Sequence, residues 1–571
     1  NKAPYLQLKQ AVRRQGVITG GDDFWLGPGR RNDASDTLEP TQNQIREEIL
    51  PALQRALAST EERDFDIISS CLVALAKIGQ ERPGLDLVET FRARLGAHNQ
   101  EIRETAAVAL GIAGVQNGGA AQLELLSSLV AGRAVGGGEA RERTRAFAAY
   151  GLGLLANGTA NLAIKRGAFD ALSPLLASED ASGRNLQVAA IHGLSLLGLD
   201  GSSEPERALL GDTLACLEAF YRLPLGAGSQ LRQAHCPTAI AKLLGPDHER
   251  AADYRALFRA ALEGRLGKDK RSNHDLRRSA ALALGRLGKP DDRELTDALL
   301  ATYRDDKDAQ TRYFSILALG QIGGAMNRDA LLKTFDKARA IDRPWSALAL
   351  GLLAFEAAER QSRQQQTPEP DRVLGDTLLD AFRAEKSPDI RGALAIALGL
   401  ARYLPAADAL RQELGDRATW AKEELAGYFC IGLALMEDRG SKDAILQIVH
   451  DSPRLPLLLQ QAAVALGKLG DKRAAADLVK MLEGTDGNLA KASAISGALG
   501  FIGDRGTVHP LVQLLSDESR SQLPRAFAAV ALGGIADKEM LPWNSKLGIG
   551  TNYRAATETL TNRVSGILDI L

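Results

Sequence analysis

The chain has 571 residues, 45% of them hydrophobic, and its 70 lysines and arginines nearly balance its 71 aspartates and glutamates. The net charge of −1 gives no overall basic field to attract nucleic acid and no acidic surplus. Aromatic residues make up only 5% of the chain, which argues against base-stacking platforms, and no apolar run approaches the roughly 18–20 residues of a membrane span.

The first 41 residues contain a dense run of Gly, Asp and Pro and no repeat, so residues 1–41 are predicted to form an irregular N-terminal cap. Phe24 and Trp25 are the expected anchors on the first repeat, because a solenoid must cover the apolar face of its first unit. A docking epitope or a ligand lid is the alternative for this segment.

One twelve-residue phrase then recurs along the chain. It is clearest at Arg277–Gly288 (RRSAALALGRLG) and returns, for example, at Arg103–Gly114 and Arg525–Asp537. Alanine and leucine favour helix, whereas glycine costs about 1 kcal/mol in a helix interior, so a glycine that keeps returning at one position suggests close helix approach. This middle position is occupied in turn by Ala76, Gly111, Gly153, Ser195, Lys242, Gly285, Gly320, Gly351, Gly399, Gly432, Gly467, Gly500 and Gly533.

The spacing of these positions predicts the fold class. Successive positions lie about 38 residues apart on average, within the 20–50-residue period of solenoids. A second apolar helical pattern lies between copies, as at Ala474–Gly484. Two helices per repeat, joined by polar turns and without strand-like alternation, predict an all-α fold, an α-solenoid of about 12–13 helical hairpins.

The repeats are predicted to fall into two blocks. Residues 42–359 are less regular, residues 373–537 are regular, and the polar connector 360–372 between them is the expected flexible, protease-sensitive point. Residues 538–571 are predicted to be a C-terminal cap docked on the final repeat. Insertion of this end into another protein or a second copy is the alternative.

The phrase SPDIRGALAIALGLA (Ser387–Ala401) resembles HEAT repeats, particularly the HEAT-like kind of bilin-lyase subunits, and the resemblance covers roughly residues 42–537. It implies a right-handed α-solenoid but selects no activity, because HEAT arrays serve as scaffolds, adaptors, transport receptors and occasional enzymes. The ends, Asn1–Val12 and Leu541–Leu571, resemble those of exported bacterial HEAT-repeat proteins of unassigned activity. With an opening residue other than methionine, this likeness implies the bacterial cell envelope, periplasm or exterior in preference to the cytoplasm.

An arginine recurs near the start of the helix that carries the phrase. A structural Asp–Arg ladder between successive repeats is one interpretation, since it would satisfy both charges and fix the stacking angle. A basic concave stripe for a phosphate or acidic ligand is the other. The arginines are Arg103, Arg145, Arg277, Arg312, Arg343, Arg391 and Arg525.

Aromatic side chains follow the arginines along the same helices. They either fill the core between helices or line the concave face as protein-binding anchors, because aromatics and arginine dominate interface energies. The candidate protein-binding residues are Phe147, Tyr150, Phe314, Trp345 and Phe527.

No motif in the sequence indicates catalysis, and no catalytic, cofactor-binding or metal-binding residue is predicted. The seven histidines are scattered, and His192 is expected to be a hydrogen-bonded core residue. Cys71 and Cys430 are expected to be buried free thiols, whereas Cys216 and Cys236 flank an irregular loop and either pair or stay free.

Three functions from different classes remain. The leading one is a non-catalytic scaffold that binds another protein or copies of itself. The first alternative is a chromophore-lyase-like or small-ligand-handling subunit, which the bilin-lyase resemblance implies. The second is binding of a nucleic-acid backbone, for which Gly267–Arg278 is a local basic patch and against which the balanced charge argues.

Overall fold

The computed structural model describes residues 39–537, apart from residues 180, 227, 266–271, 470 and 486–487. Within this part of the chain, helices and turns make up the structure, together with two isolated bridges, Arg82 with Leu85 and Arg133 with Glu139. The predicted caps lie almost wholly outside the described residues.

Twenty-six of the described helices have eight residues or more, and they form thirteen consecutive hairpins. In chain order they are α1 Leu50–Ser59, α2 Phe65–Ile78, α3 Leu87–Arg94, α4 Gln100–Ile112, α5 Ala120–Val130, α6 Glu142–Asn157, α7 Leu162–Leu172, α8 Arg184–Ser195, α9 Glu204–Arg222, α10 Cys236–Leu244, α11 Ala251–Leu262, α12 His274–Leu287, α13 Arg293–Asp305, α14 Ala309–Ile322, α15 Ala325–Asp336, α16 Arg343–Arg363, α17 Arg372–Ala384, α18 Pro388–Leu400, α19 Ala407–Gly415, α20 Glu423–Leu435, α21 Lys442–Asp451, α22 Pro456–Lys468, α23 Ala475–Glu483, α24 Leu489–Ile502, α25 Val508–Ser516 and α26 Gln522–Ile535.

Shorter elements connect or extend these helices. They are the one-turn helices Gln42–Gln44, Gln230–Gln233 and Arg417–Trp420, the π-helical stretch Ile45–Ile49 that leads into α1, and the 3₁₀ turns Glu62–Asp64, Ser173–Leu176, Leu404–Ala406, Arg439–Ser441 and Arg505–Thr507.

The recurring phrase falls on the even-numbered helices, and the thirteen middle positions occupy one even helix each. The prediction of an all-α solenoid built from HEAT-like helical hairpins is therefore confirmed. The two helices of a hairpin differ in pattern. In α17 the buried side chains, such as Leu374, Leu378 and Phe382, form one amphipathic stripe, whereas α18 is buried along its whole length from Ile390 to Leu400 except at Arg391.

Neighbouring even helices approach one another backbone to backbone. An ideal Cβ on Gly153 of α6 would lie 2.7 Å from the Cα of Gly193 in α8, and one on Gly351 of α16 would lie 2.7 Å from the Cα of Ala397 in α18. In both cases the partner is two residues before the middle position of the next even helix. The small residues are therefore required by the spacing of the inner layer.

The last hairpin meets the first in the same way. An ideal Cβ on Gly533 of α26 would lie 2.7 Å from the Cα of Ala74 in α2, which is again two residues before the middle position, Ala76. Along the outside, α25 packs on α1 and on the preceding π-helical stretch, and His509 Nδ1 lies 4.0 Å from Glu48 Oε2. The thirteen hairpins thus close into a ring, and we call the α26–α2 and α25–α1 junction the seam.

In this ring the even helices form the inner layer and the odd helices the outer layer. Even neighbours touch through their backbones, whereas odd neighbours pack more loosely, as expected of the layer at larger radius. The apolar faces that an open solenoid would leave on α2 and α26 are buried against each other.

The predicted connector begins inside a helix. Residues 360–363 are the last residues of α16, and the loop between α16 and α17 spans 364–371. Since α16 packs on α18 as other even neighbours do, the hairpins are continuous through this point. The flexibility of the connector stays a prediction.

We expect Gly533→Val to weaken the seam, because the new side chain must displace the backbone of Ala74. The cost of such overpacking is about 1–3 kcal/mol. We expect a lower Tm and, in small-angle X-ray scattering, a larger radius of gyration.

Gly497→Val is the matched control, since Gly497 also lies inside an even helix, α24, but nothing approaches its ideal Cβ within 4 Å. Equal effects of the two substitutions would contradict the close packing assigned to the seam.

Candidate protein-binding surface

Several of the recurring arginines contact the end of the outer helix in their own hairpin. Arg145 Nε donates to the carbonyl oxygen of Val130 at 2.9 Å, and Arg525 Nε donates to that of Leu515 at 3.1 Å. Arg103 donates to the carbonyls of Ala97 and His98, just beyond α3. A cation is favourable at the C-terminal end of a helix, where unpaired carbonyls carry partial negative charge.

Other arginines of the set reach the next hairpin. Arg277 Nη1 lies 2.5 Å from Asp306 Oδ2, and Arg391 forms a bidentate pair with Glu413 at 2.7 and 3.0 Å. Arg312 Nη2 lies 3.8 Å from Asp342 Oδ1 of the next hairpin. Arg343 instead stays within its own hairpin, where its guanidinium lies 5.2 Å from the ring centre of Phe335 in α15. The predicted ladder residues are therefore engaged within the ring, partly through helix-end carbonyls and partly through ion pairs between hairpins.

A second arginine position also links hairpins. Arg278 in α12 donates from Nε at 2.8 Å and from Nη2 at 2.6 Å to the carboxylate of Asp308, which caps the first turn of α14. The hydrogen bonds from Arg278 and Thr311 lower the pKa of Asp308 to about 2, against the opposing effect of burial. The end of the basic patch predicted at Gly267–Arg278 is thus committed to internal ion pairs.

Four of the five candidate aromatic residues are buried. Phe147, Tyr150, Phe314 and Trp345 are at most 2% exposed, and Trp345 stacks on Tyr313 with ring centres 4.1 Å apart. Phe527 is partly exposed. These rings lie among the helices of the inner layer, which is where they are expected if they fill the core between helices.

Two of the histidines and three of the four cysteines are buried. His192 and His235 are buried, and their Nε2 and Nδ1 atoms lie 3.0 Å apart. This confirms His192 as a hydrogen-bonded core residue. All four cysteines are free thiols, and burial raises the pKa of Cys216 to about 11 and those of Cys71 and Cys430 to about 12, so these thiols stay protonated at neutral pH.

Among the described residues no group of three or more His, Cys, Asp or Glu side chains is arranged to hold a metal ion. Nor does any helix in that part of the chain combine the length and apolar character needed to cross a bilayer.

A groove lies between the outer helices α13 and α15. One hydrogen bond joins the two helices, from Thr296 Oγ1 to Asn327 Oδ1 at 2.8 Å, and both residues are buried. Beside this bond opens a space of about 880 Å³. Its size is in the upper range of ligand-binding clefts.

The groove has a mixed floor and a charged rim. Leu300, Tyr303, Met326, Ala330, Thr334 and Ala338 supply partly buried surface, and Arg293, Arg304, Lys333, Lys337 and Arg339 are exposed cations. Burial and the charge of Asp342 raise the pKa of Tyr303 far above its usual range, so its hydroxyl stays a hydrogen-bond donor. Asp342 itself is paired with Arg339 at 2.7 Å.

These groove residues were not predicted from the sequence. Amphipathic patterning predicts that the charged side chains of α13 and α15 face outward, but the gap between the helices depends on how the hairpins pack. Two smaller grooves lie elsewhere on the described surface, one of about 460 Å³ at the seam beside Arg55 and Arg525, and one of about 390 Å³ beside Pro388 and Tyr428.

One carboxyl group of the inner layer, that of Glu101, has a strongly raised pKa. Glu101 in α4 lies near Asp66 and Glu104, and burial together with these two negative charges raises its pKa to about 7, although Arg143 opposes the shift. Glu104 also forms a bidentate ion pair with Arg143, at 2.9 and 3.0 Å.

No protein-family model matches the chain, and no curated protein matches it. Among solved structures, the chain is similar to Kap121p bound to Pho4p, with 14% identity over 85% of this chain and 54% of that one and a TM-score of 0.33. It is also similar to importin beta (14% identity, 85% and 71% of the two chains, TM-score 0.31) and to an engineered protein (16%, 74% and 98%, 0.29).

The chain spans about half the length of the Kap121p chain that it matches. Its HEAT-like architecture is established by its own thirteen hairpins.

We expect Glu101→Gln to change how stability depends on pH. A raised carboxyl pKa means that the folded protein holds a proton that the unfolded chain releases, so wild-type stability falls as pH rises from 4.5 to about 7. The variant lacks this loss. Its free energy of unfolding relative to wild type should rise across that window, by about 3 kcal/mol at most and by less in so far as solvent screens this partly exposed group.

Chemical denaturation between pH 4 and pH 8.5 checks this expectation. Glu124→Gln, at an exposed position of α5, is the control. Parallel stability curves for Glu101→Gln and wild type would contradict the environment assigned to Glu101.

Proposed function

We propose that this chain is a non-catalytic protein-interaction scaffold, a closed ring that binds its partners on the outer layer. The observation that carries the proposal is the unequal exposure of the two layers. The even helices are buried along nearly their whole length, while the odd helices keep polar stripes and open grooves at the surface.

Closure of the ring supports this function. An open solenoid can change its curvature, because each repeat contacts only its neighbours. In the ring every even helix has a neighbour on both sides, so the positions of the outer helices are fixed relative to one another. Surfaces held in place before binding lose less entropy when a partner docks.

The partners proposed are another protein or a second copy of the chain. The large exposed apolar side chains in the described part are spread over the ring and do not form one continuous apolar surface. They are Ile341, Val373, Leu404, Leu489 and Val530. Binding is therefore expected to use defined grooves on the outer helices.

Affinity purification of the full chain from its native source, followed by cross-linking mass spectrometry, tests the proposal. We expect a stoichiometric protein partner whose cross-links fall on the odd helices and the turns beside them. The control is the same preparation treated with the cross-linker after denaturation.

A coloured eluate, or a bound small molecule without any protein partner, would overturn the scaffold in favour of a ligand-handling subunit. Retention of nucleic acid that disappears steeply with added salt would favour the backbone-binding alternative.

A further inference from the structure

We propose that the groove between α13 and α15 binds an acidic amphipathic helix of a partner protein. The proposal rests on the scaffold function, and it names both the surface used and the kind of segment that fits it.

The charges on the groove favour an acidic segment. Five cations line it against three carboxylates, although the chain as a whole carries a charge of −1. Asp329 and Asp342 are already paired, with Arg328 and Arg339. In the described structure Arg293, Arg304, Lys333 and Lys337 form no ion pair.

Part of this charge complements the helix ends. Arg304, Lys333 and Lys337 lie near the C-terminal ends of α13 and α15, where a cation contributes to the stability of the helix. That contribution leaves the ammonium and guanidinium groups at the surface, free to pair with the carboxylates of a ligand.

The floor requires apolar groups on the same ligand. Leu300, Met326 and Ala330 present aliphatic surface between the two helices. At the base, the hydroxyl of Tyr303 makes no hydrogen bond to another described residue and can donate to a side chain of the bound segment.

The shape fits a helix better than an extended strand. The groove runs beside α13, whose thirteen residues span about 20 Å. Its walls are two helices, so a third helix can lay an i, i+3, i+4, i+7 apolar stripe on the floor while its Glu and Asp side chains reach both rims. The three carboxylates in the lining argue against a nucleic-acid backbone as the occupant.

The probe for the test is a fluorescein-labelled fifteen-residue peptide with leucine at the i, i+3, i+4, i+7 positions and Glu or Ala elsewhere. Its controls are a scrambled peptide of the same composition and a peptide with Lys in place of Glu. Binding to the full chain is followed by fluorescence anisotropy at two salt concentrations.

The groove variant is Lys333→Glu/Lys337→Glu. The matched control is Lys472→Glu/Lys480→Glu, which reverses the charge of two exposed lysines away from the groove, one just before α23 and one within it. We expect the groove variant to weaken binding of the amphipathic peptide about tenfold and the control to leave it within about twofold. Tyr303→Phe should weaken binding without changing its salt dependence.

Several outcomes would overturn the proposal. Equal binding of the scrambled peptide would reveal a general attraction for anions, and displacement by an oligonucleotide would make the groove a polyanion site. No binding by wild type would mean that the groove is occupied by the chain itself or has no such ligand.

The native partner separates this inference from the scaffold function. A partner retained equally by wild type and Lys333→Glu/Lys337→Glu would refute the groove as its site and leave the scaffold intact. If the wild-type chain retains no protein partner at all, the scaffold function itself is refuted. A Tm of each variant close to that of wild type verifies that the ring is folded.

Discussion

The structure depends on one constraint, the backbone contact between neighbouring inner helices. Gly153, Gly351 and Gly533 each leave no room for a side chain against the next even helix. Glycine inside a helix costs about 1 kcal/mol, and the burial of two apolar helix faces offsets it. At the junctions of α4 with α6, α6 with α8, α14 with α16, α16 with α18 and α26 with α2 this contact has the same register, and after thirteen hairpins the last inner helix reaches the first.

This constraint also separates the layers by role. Close approach requires small residues and buries the inner helices, so the recurring arginines and aromatics that occupy them hold hairpins together. Arg391 pairs with Glu413 of the next hairpin, and Trp345 stacks on Tyr313 of the previous one. The outer helices, at larger radius, are spaced more widely and leave grooves, of which the one at α13 and α15 combines volume with uncompensated charge.

The sequence predicted the repeat unit well, because period, helix propensity and the recurring glycine are local properties. Each of the thirteen middle positions, from Ala76 to Gly533, falls on an inner helix. Closure could not be predicted in this way, since it depends on the sum of thirteen small rotations. The same limit applies to the groove, because Tyr303 and Lys333 are ordinary outward-facing residues until the spacing of α13 and α15 is known.

The most direct test of this account is a distance measured across the seam. Spin labels are placed at Glu48→Cys and His509→Cys in a chain whose native cysteines are replaced, and pulsed electron paramagnetic resonance gives their separation. A matched pair at Glu483→Cys and Arg520→Cys reports an internal junction, where the native side chains lie 3.5 Å apart. The ring predicts short, narrow distances for both pairs. A short internal distance with a long, broad distance across the seam would show an open solenoid and contradict the account.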